Sequence, residues 1–138
     1  MTLVYNEESE LIKLFDSSGA LVFKAPCRNE TCAENAWRYP DAGCPPGTYT
    51  VGSPESNEPG EEQTSMGPWF IPVDNIPGHS GIGIHGGGSC VYPNSMAPHQ
   101  GWCPTENCFR MQNADLDNLV KLIPNGGSKF VVSQSEHP

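Results

Sequence analysis

Glycine and proline punctuate this chain so often that only short strands and short helices fit between them. The 15 Gly and 14 Pro of its 138 residues fall between runs of Val, Ile, Tyr and Phe, a pattern of many turns joining short strands. A mainly β fold is therefore expected. Thr2 to Cys27 alternates apolar and polar residues as strands with one buried face do: Leu3 and Tyr5, then Leu11 to Phe15, then Leu21 to Phe23. Asp16-Ser17-Ser18-Gly19 supplies the turn between the second and third, which makes the opening a β-meander. Pro45-Pro46-Gly47 leads into a strand over Thr48-Tyr49-Thr50-Val51, because proline cannot donate to a ladder and is tolerated before a strand begins. Further strands are predicted from Met66 to Val73, Gly81 to His85 and Lys129 to Ser133. Cys27 to Cys44 reads as irregular, with Trp37 and Tyr39 available to pack on the sheet.

One helix is predicted. Asn113 is a suitable N-cap, Asp115 and Asp117 complement the helix dipole in the first turn, and Leu116, Leu119, Val120 and Ile123 form one apolar stripe that ends at Pro124 and Asn125-Gly126-Gly127. Ser53 to Thr64 is polar and acidic and reads as a mobile surface loop. Gly86 to Asn107 is too rich in Gly, Pro and Ser to be regular, and its length makes it a candidate lid. The whole chain, residues 1–138, is expected to be one domain around one core.

The formal charge of −9 is spread along the chain, and its seven Lys and Arg form no cluster, so nucleic acid is excluded as an expected partner. No run of about 18 apolar residues offers a membrane span. The N-terminal Met-Thr-Leu-Val-Tyr-Asn-Glu-Glu lacks the basic and apolar regions of a secretory signal, so an export route is not legible here. The six cysteines nevertheless suit an oxidising compartment. Cys90 and Cys103 are the preferred bridge, whose loop closure stabilises by roughly 3 kcal/mol; Cys27 with Cys32 is the second choice, and Cys44 is left over or pairs with either of those two. A zinc site from Cys27, Cys32 and Cys44 lacks the paired short spacings of zinc modules.

Cys108 is the candidate nucleophile. It stands shortly before the predicted helix, and His85 closes a strand; a thiol needs a base or a positive neighbour to react near neutral pH, and an imidazole supplies either. Read as a disulfide partner, Cys108 would be structural instead. Gly86-Gly87-Gly88 lacks the lysine of a phosphate cradle and reads as a flexible lid hinge. His79 and His137 read as solvent-facing loop and tail residues, and His99 belongs to the candidate lid. Trp69 and Phe70 are expected in the core, and Trp102 in a loop is open to a ligand. The Glu-rich stretch Glu55 to Glu62 reads as a solvated face.

Ile82-Gly83-Ile84-His85-Gly86 resembles the strand-and-histidine motif of the L,D-transpeptidase catalytic domain, called YkuD-like. Thr105-Glu106-Asn107-Cys108-Phe109-Arg110-Met111, followed by Gln112-Asn113-Ala114-Asp115-Leu116, resembles its second motif, which usually reads Ser-His-Gly-Cys before an aliphatic residue and Arg or Asn. Pro45-Pro46-Gly47-Thr48-Tyr49 resembles the family's Pro-Pro-Gly-Thr lead-in, and the opening hairpin also fits. The resemblance implies a twisted mixed sheet folded as a sandwich or partial barrel, with one main helix and a long lid loop. It implies that Cys108 attacks a peptidoglycan tetrapeptide stem and forms a thioester, that His85 is the base, and that backbone N–H groups around Asn107 and Cys108 form the oxyanion hole. Arg110 would position the motif or a substrate carboxylate, Thr105 preserves the usual hydroxyl, and Gly86 and Trp102 join the substrate-binding set.

Glu106 and Asn107 stand where the family has His and Gly; Asn tolerates positive φ, but a carboxylate beside the nucleophile opposes thiolate formation. No cofactor and no metal are implied. The expected partners are stem peptides, with no nucleic acid and no membrane, and the expected state is a monomer acting in the periplasm, the cell wall or outside the cell. The competing expectations are an L,D-carboxypeptidase, toxin-like or phage-borne relative of the same fold, and a non-catalytic cell-wall-binding module.

Overall fold

The computed structural model describes residues 1–29, 46–74, 76, 81–103 and 108–133. Strands β1 (Thr2–Asn6), β2 (Leu11–Phe15) and β3 (Leu21–Arg28) form the meander. Period-two alternation sets its register: Leu3 pairs with Leu14 and Tyr5 with Ile12, and all four are fully buried. Strand β4 (Gly47–Val51) follows, then β5 (Glu55–Ser56), helix α1 (Glu61–Met66), β6 (Trp69–Asp74), β7 (Gly83–His85), β8 (Phe109–Met111), helix α2 (Asn113–Leu122) and β9 (Lys129–Ser133).

The strands form one mixed sheet in the order β4-β9-β1-β2-β3-β8-β7-β6-β5, and β4 also pairs with β6, which curls the sheet into a partial barrel. Strand β9 is parallel to β1 on one side and antiparallel to β4 on the other. The interior is bound by an edge-to-face aromatic chain: Tyr5 and Phe109 lie 5.1 Å apart between ring centres, and Phe109 and Phe130 lie 5.0 Å apart. Leu116 and Leu119 of α2 are fully buried beside Ile71 and Ile84, so the predicted apolar stripe is the face that α2 gives to the core.

Several expectations change. Residues 53–64 hold β5 and most of α1, a helix with no buried residue. Met66 ends that helix, so the next strand begins at Trp69. Gln112, not Asn113, occupies the N-cap position of α2, and the Asn113 side chain is turned to loop backbone instead. Gly86, Gly87 and Gly88 are not a free hinge. All three are buried, and their N–H groups donate to Met66 O, Asn113 Oδ1 and Thr64 O at 2.8, 2.9 and 2.8 Å. A Cβ on Gly87, whose φ is +65°, would collide with the Gly67 backbone nitrogen.

Of the two expected disulfides, Cys90–Cys103 is formed, with its Cα atoms 5.9 Å apart. The second choice, Cys27–Cys32, is not made: Cys27 is a free, fully buried thiol on the inner side of β3, opposite Met111. Cys32, Cys44, Trp37, Tyr39, His79 and His137 lie outside the described residues.

Candidate active site

The site grows from three short strands whose registers lock together. Phe70 pairs with His85 across β6 and β7, His85 with Arg110 across β7 and β8, and Arg110 with Arg28 across β8 and β3; Glu55 of β5 extends the row opposite Phe70. Laterally paired residues point to the same side of a sheet, so Glu55, Phe70, His85, Arg110 and Arg28 share the face opposite to core residues Ile71, Ile84 and Phe109. Ile84 pairs with Phe109 in parallel, where β8 begins, and extending that register by one residue, just outside the strand, sets Cys108 beside Gly83. His85 and Cys108 are thus diagonal neighbours on one face of adjacent strands. From strand spacing and rise, their Cα atoms are roughly 8 Å apart, a span that the two side chains can bridge. Only Gly83 intervenes, and a Cβ there would collide with the Phe70 ring.

His85 is buried, and its Nδ1 lies 2.9 Å from the Gly86 carbonyl. A carbonyl only accepts, so Nδ1 carries the proton and Nε2 is left as the basic nitrogen. The same Gly86 oxygen accepts from Arg110 Nε at 3.2 Å. Burial pushes the His85 pKa down to about 4, the Gly86 hydrogen bond opposes that shift, and the neighbouring Arg110 charge adds to it. The imidazole is therefore neutral at physiological pH. Phe70 lies nearly parallel to it, 6.2 Å between ring centres.

Arg110 is itself buried and commits its fork to backbone: besides Gly86, Nη1 donates to Cys103 O at 2.6 Å and Nη2 to Ser65 O at 3.0 Å. It ties β7, the disulfide loop and α1 to β8. Cys108 is half-buried and its Sγ lies 3.8 Å from Gly81 O, while its own carbonyl accepts from Asn29 Nδ2 at 3.0 Å. The Asn29 N–H in turn donates to the Tyr5 hydroxyl at 3.1 Å. Trp102 is half-buried under the Arg28 guanidinium, which stands 4.4 Å from its ring centre; Arg28 also pairs with Glu10 at 3.1 Å.

Of the residues singled out in the sequence, His85, Gly86 and Arg110 are joined through the Gly86 carbonyl, Cys108 stands just before β8 with its Sγ near Gly81 O, and Trp102 lies at the Arg28 end of the row. Thr105, Glu106 and Asn107 lie outside the described residues. Phe70 faces the site and not the core, a correction that the strand register explains: Ile71, its neighbour, takes the inward place. Asn29 escaped the sequence reading, and Asn113 was read there only as a helix cap. Asn113 holds Gly87 N, Ser95 O and Ala97 O, so it fixes the loop that follows His85. Among the described residues no group of three or more His, Cys, Asp or Glu is placed to hold a metal ion.

The family model of the L,D-transpeptidase catalytic domain, YkuD, matches residues 11–132. The chain belongs to this family. Solved structures agree in fold. Bd1075 of Bdellovibrio bacteriovorus superposes with a TM-score of 0.68 at 16% identity, over 98% of this chain and 50% of that one. An L,D-transpeptidase of Enterococcus faecium gives 0.63 at 13%, over 95% and 48%. The helical cell shape determining protein Pgp2 of Campylobacter jejuni gives 0.64 at 15%, over 98% and 48%. This YkuD-family chain thus spans about half the length of those three proteins. No curated protein sequence matches it.

Proposed function

We propose that this chain is a cysteine-dependent L,D-transpeptidase that acts on the tetrapeptide stems of peptidoglycan through a thioester. The observation that carries the reading is the shared face of His85 and Cys108, with Nδ1 of the imidazole tied to Gly86 O and Nε2 left basic. At rest the Cys108 thiol leans on the Gly81 carbonyl. For attack it exchanges that contact for His85 Nε2, which takes the thiol proton as sulfur adds to the carbonyl of the third stem residue. The oxyanion is received by backbone N–H groups at Cys108 and Asn107, as the family resemblance implies. Collapse breaks the peptide bond, the imidazolium returns its proton to the departing D-alanine nitrogen, and the acyl group stays on sulfur. An acceptor amine then displaces the thiolate to form a new peptide bond; water in its place gives a tripeptide.

The Cys90–Cys103 bridge fits an oxidising, extracytoplasmic site of action such as the periplasm or cell wall. Intact mass after incubation with a stem tetrapeptide is the test. An adduct of the tripeptide acyl group on the wild-type chain, absent from Cys108→Ala, is expected, and an adduct that survives in Cys108→Ala removes the mechanism. Cross-linked or exchanged product on adding an amine then separates transfer from hydrolysis.

A further inference from the structure

Strand β3 turns every second side chain inward: Ala25 and Cys27 are buried, and the next inward place falls on Asn29, one residue past the strand's end. Extending the Cys27–Met111 and Arg28–Arg110 register by one residue sets Asn29 opposite Phe109. Cys27, Phe109 and Met111 on this side of the sheet are hydrophobic and fully buried, yet Asn29 is a primary amide that is 4% exposed. A buried amide costs free energy unless its hydrogen bonds are met, so its partners say what the side chain is for.

Asn29 Nδ2 donates to the Cys108 carbonyl at 3.0 Å, and the Asn29 backbone N–H donates to the Tyr5 hydroxyl at 3.1 Å. A carbonyl only accepts, so the first bond fixes which end of the amide faces Cys108. Tyr5 is fully buried and packs edge-to-face on Phe109, the residue that follows Cys108 in the chain. The contacts close a ring: Tyr5 to Phe109 through their aromatic faces, Phe109 to the Cys108 carbonyl through one peptide bond, that carbonyl to Asn29, and Asn29 back to Tyr5. The Cys108 oxygen and the Phe109 nitrogen belong to one planar unit. Asn29 holds that unit at its oxygen, and the Phe109 ring holds its far end between Tyr5 and Phe130.

We infer that Asn29, anchored on Tyr5, is a positioning residue for Cys108, acting on the nucleophile from the core side of the sheet. By holding the peptide plane it sets ψ of Cys108, and so the direction in which Cβ and Sγ leave the backbone. The thiol is left chiefly with rotation about χ1, from its contact with Gly81 O at 3.8 Å toward His85. Without the Asn29 bond the plane can turn, and a misplacement of Sγ on the order of 1 Å costs a reacting pair about a hundredfold in rate. The inference rests on the acyl-transfer reading for the reaction it serves, but the position of the thiol can be read without a peptide.

The test follows two reactions of Cys108 in the full chain: acylation by a stem tetrapeptide, and alkylation by iodoacetamide located by peptide mass mapping. Asn29→Ala, and Asn29→Asp, which keeps the shape and has no donor when ionised, are expected to lower kcat for acylation by about ten- to a hundredfold with little change in KM. Tyr5→Phe keeps the ring and removes only the acceptor for the Asn29 N–H, and a fall of about three- to tenfold is expected. For alkylation, His85→Gln is expected to slow the wild-type chain and to have little further effect in Asn29→Ala, the mark of two coupled residues. A residue that only holds the fold would lower the melting temperature and leave the rates of the folded chain intact, and that result overturns the inference. So does a rise in KM at unchanged kcat, or an equal effect of His85→Gln in both backgrounds, zero included. If the Asn29 variants do not fold, Tyr5→Phe decides, and wild-type rates in it overturn the inference. A wild-type chain that forms no adduct with the tetrapeptide refutes acyl transfer while the alkylation cycle still judges Asn29; adducts together with a His85 effect independent of Asn29 do the reverse.

Discussion

Burial takes His85 down to about 4, and two separate consequences follow from that one cause. Nε2 stays unprotonated through the mildly acid range, so the acid limb of log kcat/KM for Cys108 acylation is expected near pH 4. A limb at 6.5, the value of a solvated imidazole, would mean that His85 titrates freely. Stability responds as well. The unfolded chain protonates this histidine near 6.5 and the folded chain near 4, so between those values the unfolded state holds more protons. Stability is unaffected above the window and falls as pH drops through it, by roughly 3 kcal/mol in all. Urea unfolding at pH 7 and pH 4 should register that loss, and His85→Gln should shrink it. Arg110 is the second lever at this scale. Its three described hydrogen bonds go to carbonyls on three segments, a fork that lysine cannot reproduce. Arg110→Lys is expected to cost about 2–3 kcal/mol by leaving buried acceptors unmet, and to lower kcat more than it raises KM because His85 loses its fixed Gly86 partner. Thermal unfolding combined with acylation kinetics would separate the two effects.

Elements were legible where burial is one-sided. The meander over residues 2–28 declares itself because each strand gives one face to the core and one to water, and α2 because its stripe repeats at helical spacing. Strand β8 hides for the opposite reason: Phe109, Arg110 and Met111 are all buried, so no alternation survives, and a buried arginine within a three-residue strand carries no apolar signal. Helix α1 hides because Glu61–Met66 buries nothing. The candidate pair was drawn from residue types, His85 after Gly83 and Cys108 before a helix, but the face that Phe70 shares with His85 depends on pairing register, which a single strand's sequence does not state. The loop from Gly86 to Cys103 shows how an irregular segment is held. Asn113 and Gln100 satisfy its backbone, Gln100 Nε2 reaching Gly87 O at 3.2 Å and Met111 O at 2.9 Å, and the Cys90–Cys103 bridge closes it. Cys90→Ser is expected to cost about 3 kcal/mol of stability, the entropy of a loop of this length. Reducing agent should lower the melting temperature of the wild type and leave that variant unchanged, whereas equal sensitivity would show that the bridge does not hold this loop.

At the scale of the whole molecule, one curled sheet has an inner side that is core and an outer side that carries the candidate site between β5 and β3. The division can be tested with two phenylalanines of the same size. Phe130 on β9 is fully buried, stacks edge-to-face on Phe109, and lies on the strand that joins β1 to β4. Phe70 is half-buried, on the site face beside His85. Phe130→Ala empties a core position and removes an aromatic pair, so a loss of about 3–5 kcal/mol is expected. For a chain of this length that moves the melting temperature by roughly 10 °C or more. Phe70→Ala leaves solvent where the ring lay instead of a sealed cavity, so its stability loss should stay near 1–1.5 kcal/mol by area burial. It should nevertheless lower the rate of Cys108 acylation, because the ring screens His85 from water. Melting temperature and acylation rate for the two variants should therefore move in opposite order. If Phe70→Ala proved as destabilising as Phe130→Ala while leaving acylation untouched, the outer face would be a second core and the separation of roles between the two sides of the sheet would fail.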